Sequence, residues 1–168
     1  MKKSYLFVLT LVLTGLFTFS CKSDDDGGGG GGAAEGTITA KVNGAGFTSS
    51  SMTTSGTMVG TTLSFLGTNS EGKSIQFVVN GLDGTGTYQI GGGANISIAA
   101  SYSEVNLSNP GNSQVWQAPF DDSVAGEISF SEISNSKVKG TFTFECKNVN
   151  GDGSIKNVTE GSFNVTLN

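Results

Sequence analysis

From Thr37 to the end of the chain, apolar and polar residues alternate with a period of two. Ile38, Ala40 and Val42 interleave with Thr37, Thr39 and Lys41. The same phase-keeping recurs in Ile75, Phe77 and Val79, in Ile96, Ile98, Ala100 and Tyr102, in Val138, Phe142, Phe144 and Cys146, and in Phe163, Val165 and Leu167. Successive side chains of a strand point to opposite faces, so each set marks a core face backed by a wet one. No segment sustains a 3.6-residue period, and little helix is expected. Turn signals separate the runs: Asn69-Ser70-Glu71-Gly72, Gly81-Leu82-Asp83-Gly84, Gly91-Gly92-Gly93, Ser108 to Asn112, Ser134-Asn135-Ser136 and Asn148 to Gly153. Residues 37–168 are therefore expected to form one all-β domain. Its architecture would be an antiparallel β-sandwich or a flattened up-and-down barrel of about 8–10 short strands. Thr61 to Thr68 and Ser74 to Asn80 read as the clearest hairpin. Gly44-Ala45-Gly46 reads as the first turn, Phe47 to Thr54 as a weak strand, and Gly161 to Leu167 as the last strand.

The N-terminus obeys a different logic. Met1-Lys2-Lys3 is basic, and Tyr5 to Phe19 is apolar but too short for an ordinary membrane span. Residues 1–20 read as a signal peptide. Thr18-Phe19-Ser20-Cys21 resembles a relaxed bacterial lipobox, in which small residues admit the signal peptidase beside a diacylglyceryl thioether on the cysteine. Cys21 is accordingly expected to carry lipid. Residues 21–36 would then be a lipidated, acidic and Gly-rich linker. The run Lys22-Ser23-Asp24-Asp25-Asp26 resembles the export signal that sends Bacteroidota lipoproteins to the outer face of the outer membrane. Read blandly, it is a solvated spacer. Gly27 to Gly36 cannot bury enough apolar surface to offset the entropy of ordering and is expected to be a flexible coil.

Charge and residue type exclude several functions. Nine Lys stand against 14 Asp and Glu, for a net charge of −5, with no Arg and no His. Scattered lysines do not displace counterions from phosphates, so a nucleic-acid partner is not expected. Without His there is no Ser-His-Asp arrangement and no usual zinc ligand. Two cysteines do not make a disulfide framework. Cys146, in phase with an apolar strand face, is expected to be a small buried hydrophobe.

Four other groups of residues are candidate sites. Tyr102, Trp116 and Phe120 form a candidate aromatic platform for sugar or peptide, although aromatics in such a domain mostly build the core. Asp121, Asp122 and Glu127 are the densest carboxylates of the domain. A pair of them would suit glycoside chemistry at separations of roughly 5 or 6.5–9.5 Å. Asn148-Val149-Asn150-Gly151-Asp152-Gly153 has oxygen ligands at alternate positions. Its twelfth place, however, is Thr159 with Glu160 one late, which spoils an EF-hand loop. Asp122-Ser123-Val124 resembles a Bacteroidota O-glycosylation acceptor, making Ser123 a candidate for modification. No catalytic residue, metal ligand or cofactor is assigned.

Ile38 to Gly44, Gly84 to Ile90, Lys139 to Phe144 and Glu160 to Val165, in this order, resemble a family of small Bacteroidota lipoproteins that carry an all-β domain of unknown function. The resemblance implies an extracytoplasmic domain with no assigned activity and transfers no functional residues. The resulting expectation is a lipid-anchored envelope or cell-surface β domain that is not an enzyme. It would sit at the outer membrane facing the exterior, with the membrane as partner through the anchor. A protein, glycan or small apolar ligand is left open. The alternatives are a lipocalin-like carrier, with a cavity lined by Phe65, Phe77 and Phe142, and a carboxylate-based hydrolase.

Overall fold

The computed structural model describes residues 32–93 and 95–168. Residues 1–20, expected to be a signal peptide, Cys21 and the acidic run Lys22 to Asp26 lie outside the described residues. Eleven strands follow in order: β1 (Thr37–Val42), β2 (Ala45–Thr48), β3 (Thr54–Val59), β4 (Thr62–Thr68), β5 (Lys73–Val79), β6 (Gly86–Gly91), β7 (Ile98–Glu104), β8 (Gln114–Ala118), β9 (Val124–Ile133), β10 (Lys137–Lys147) and β11 (Ile155–Thr166). Two single turns of 3-10 helix, at Ser51–Thr53 and Pro110–Asn112, complete the elements among the described residues.

The strands form one antiparallel sheet in the order β2-β1-β11-β10-β8-β7-β5-β4-β3. The sheet curls into a half-barrel, and a parallel bridge between Gly56 and Leu167 brings β3 towards the end of β11. This is not a simple meander. β6 leaves the path between β5 and β7 and pairs with β9, which pairs with β10. β10 thus serves two arms along one edge: β9 over residues 138–144, and β8 at Lys147.

Local sequence explains most of these elements. Asn43 and Gly44 both take positive φ, 49° and 82°. They make the two-residue hairpin turn that Asn-Gly favours, so Ala45 and Gly46 belong to β2 and not to the turn. The segment expected as a single strand over Phe47 to Thr54 breaks at Ser49. There the buried Ser49 Oγ accepts from Ile38 N at 2.8 Å and lies 2.7 Å from Thr54 Oγ1. One hydroxyl so joins β1 to the start of β3.

The core is a continuous cluster of aromatic and aliphatic side chains from every arm of the sheet. Phe65 stacks on Phe77 at 5.1 Å between centroids, and Phe163 lies 4.9 Å from Phe65. Phe142 meets Phe77 edge-on at 4.9 Å. Pairs of this kind add about 0.5–1.5 kcal/mol each beyond the area they bury. Phe65, Phe77 and Phe142, the residues expected to line a carrier cavity, instead occupy one another's space. The reading of the domain as a carrier loses its condition there.

Candidate functional site

Tyr102 and Trp116 face each other from β7 and β8, in register, with ring centroids 5.7 Å apart. They are only 2% and 4% exposed and therefore offer no platform to solvent. Phe120 stands apart, half-buried, with the Lys147 ammonium 5.9 Å from its ring centroid. The reason is the alternation itself: Tyr102 and Trp116 lie in phase with Ala100 and Ala118, which also face the core.

Trp116 is tied into the β10–β11 turn. Its Nε1 donates to Ser154 Oγ at 2.9 Å, and Ser154 Oγ donates to Asp152 Oδ1 at 2.6 Å. Asn148 is buried and donates through Nδ2 to Gln114 Oε1 at 2.6 Å. The loop with calcium-like spacing is thus a hairpin closure whose oxygens serve the protein. Hydrogen bonds from Ser154 hold the Asp152 carboxyl below the usual carboxylate range.

The candidate carboxylates separate in the same way. Asp121 Oδ1 accepts from Ser123 N at 2.9 Å and from Ser123 Oγ at 2.5 Å, which lowers its pKa. Asp122 is exposed, and its carbonyl holds Gly93 N at 2.7 Å. Glu127 lies on β9, opposite Thr143 of β10 and Gln89 of β6. Ser123 is exposed, with its hydroxyl directed to Asp121.

A charged cluster that the sequence did not single out closes one end of the half-barrel. Glu104 Oε1 accepts from Tyr102 Oη at 2.9 Å and from Lys156 Nζ at 3.1 Å. The Lys156 ammonium lies 4.6 Å from the Trp116 ring centroid, in cation–π range. Burial alone would raise the Glu104 pKa. The hydrogen bonds from Tyr102 and Lys156, with the charges of Lys156 and Lys73, outweigh burial and lower it. Burial, reinforced by the Glu104 carboxylate, pushes the Tyr102 hydroxyl up. With Phe47 and Asn43 these groups border a cleft of about 290 Å³.

The other surface of note is the outer face of β2, β1, β11, β10, β9 and β6. Cross-strand pairing puts a hydroxyl residue of each strand in one row: Thr48, Thr39, Ser162, Thr141, Ser129 and Thr87. Thr39 and Ser162 are 2.9 Å apart between hydroxyls, and Thr87 and Ser129 are 2.6 Å apart. Exposed Thr141 stands between the two pairs. Around it opens a groove of about 460 Å³, lined by Thr87, Ser129, Lys139, Thr141 and Asn164 and closed on one side by Gly32 and Ala33. Phe130 and Phe163 lie beneath it on either side of Gly140, only 3% and 1% exposed. Asn164 is 8% exposed; its Nδ2 donates to Ala33 O at 3.4 Å, while its Oδ1 has no hydrogen-bond partner. Each of these polar residues was visible as the wet half of an alternating strand. Their alignment follows from register, which the sequence does not state.

A family model described as a domain of unknown function (DUF6252) matches residues 34–165. No curated protein and no solved structure matches the chain.

Proposed function

The chain belongs to this DUF6252 family, whose function is unknown, and we propose that it is a lipid-anchored, non-enzymatic β domain of the cell envelope, held at the outer membrane and turned to the exterior. The observation that carries this reading is Cys21, which follows a basic start, an apolar stretch and the small residue Ser20, and precedes the run Lys22 to Asp26. One acyl chain gives marginal attachment, whereas several hold a protein stably at a membrane. The domain's own chemistry supports a binding or structural role. Of the densest acids, Asp121 is engaged by Ser123, while Glu127 stands opposite Thr143 and Gln89, and the buried Phe cluster is packed on itself.

The arm that would connect anchor to domain reaches the sheet at β11. Gly36 N donates to Asn164 O at 2.8 Å, beside the groove described above. The polar outer face therefore lies next to the leash.

Cell fractionation tests the anchor. Cys21→Ala should move the protein from the membrane to the soluble fraction; retention in the membrane would refute lipid attachment. Replacing Asp24, Asp25 and Asp26 with Ala should keep the protein in the membrane but protect it from protease added to intact cells. Unchanged cleavage would reduce the acidic run to a spacer.

A further inference from the structure

We propose that the groove over β6, β9, β10 and β11 is a binding site for a neutral saccharide. This deepens the reading of the domain as a binding module and does not depend on the anchor.

The lining offers hydrogen-bonding groups from four strands. Thr87, Ser129, Thr141 and Asn164 supply polar groups on the walls, above Phe130 and Phe163, which are closed to solvent at 3% and 1% exposed. Its volume of about 460 Å³ lies within the roughly 300–1,000 Å³ typical of small-molecule sites. Adjacent strands are about 4.8 Å apart, close to the length of one sugar ring, so successive rungs of the hydroxyl row can meet successive sugar units.

The orphaned oxygen decides the class of ligand. A buried acceptor without a partner costs about 1–3 kcal/mol, and Asn164 Oδ1 is such an acceptor. It needs a donor, which a sugar hydroxyl provides and a phosphate or carboxylate does not. The arm is held to the Asn164 backbone by Gly36 N at 2.8 Å, but its contact with the Asn164 side chain, Nδ2 to Ala33 O at 3.4 Å, is longer than a well-formed hydrogen bond. Ala33 can therefore yield to an incoming hydroxyl while Gly36 stays paired. Thr141 can both donate and accept. Lys139 is engaged outside the groove: its ammonium is 3.6 Å from the Glu132 carboxylate, which Lys137 also approaches at 3.0 Å. The choice of a neutral ligand rests on the donor that Asn164 Oδ1 needs.

The test is calorimetric titration of the full chain, purified in a detergent without a sugar headgroup. The titrants are linear neutral hexasaccharides of glucose, xylose, mannose and N-acetylglucosamine, with hexagalacturonate as the anionic counterpart. At least one neutral hexasaccharide should bind. Thr141→Val and Asn164→Leu should each weaken that binding about tenfold, the effect of losing one or two hydrogen bonds. Ser55→Ala, on the exposed side of β3, should leave binding unchanged. Asn164→Leu removes an unsatisfied oxygen, so its thermal midpoint should not fall; this separates lost binding from lost fold. Binding of hexagalacturonate alone, no binding to any hexasaccharide, or binding indifferent to both groove variants would overturn the proposal. Failure of Cys21→Ala to release the protein would refute the anchor and leave this titration untouched.

Discussion

At the scale of single residues, one half-buried and one buried position are fixed by close approach and by desolvation. Gly140 faces the core between Phe130 and Phe163, whose rings meet edge-on at 5.4 Å. A Cβ there would fall 2.6 Å from Phe163 Cζ and closer still to the Ser129 carbonyl. Gly140→Ala should therefore destabilise the domain by about 1–3 kcal/mol, the usual cost of overpacking, read as a lower urea midpoint at unchanged slope. Cys146 is fully buried, and burial pushes its thiol up to about 12. The inward phase of Cys146 was legible from Phe142 and Phe144. The need for Gly140 was not, because the clash involves two strands that only the fold brings beside it.

At the scale of elements, β11 shows how a strand can hide its own length. Its core residues fall in two phases: Val158 before Glu160, and Phe163 and Val165 after it. The change of phase is a bulge. On the β10 side, Thr159 and Glu160 together oppose Thr143, and Glu160 takes a left-handed φ of 51°. Strict alternation therefore picks out Gly161 to Leu167 and misses Ile155 to Glu160. A non-glycine residue at positive φ is strained by about 1–2 kcal/mol, whereas the exposed Lys41–Glu160 pair at 2.9 Å contributes about 0–1 kcal/mol. Glu160→Gly should therefore raise the thermal midpoint slightly. A clear fall in the midpoint would show that the ion pair outweighs the backbone strain.

At the scale of the whole molecule, charge sets the pH range over which the fold is stable. The carboxyls of Glu104, Asp121, Glu132 and Asp152 are all held below their ordinary values. For Glu104 hydrogen bonds and lysines outweigh the opposing effect of burial; for the other three hydrogen bonds from Ser123, Lys137 and Ser154 lead. A depressed carboxyl stabilises the fold above its unfolded pKa, and that contribution is lost as pH falls through the folded value. Stability should decline from about pH 4 downward, near the unfolded carboxyl range. With no His in the chain, it should be nearly flat between about pH 6 and 8. Urea midpoints measured across this range check both statements, and a step near neutrality would contradict the second.

The sequence by itself determined the class of the domain, the identity of most core residues and the candidate anchor, because a period of two, turn residues and a signal-like N-terminus are local patterns. Tertiary structure decided what those patterns build. It routed β6 to β9, buried Tyr102 and Trp116 beneath Lys156, and packed the phenylalanines into a filled core. It also set six hydroxyl residues in one row beside the unpartnered oxygen of Asn164. Alternation tells which face of a strand is wet, but not which strand lies next to it. A surface made of six strands exists only once their pairing and register are fixed.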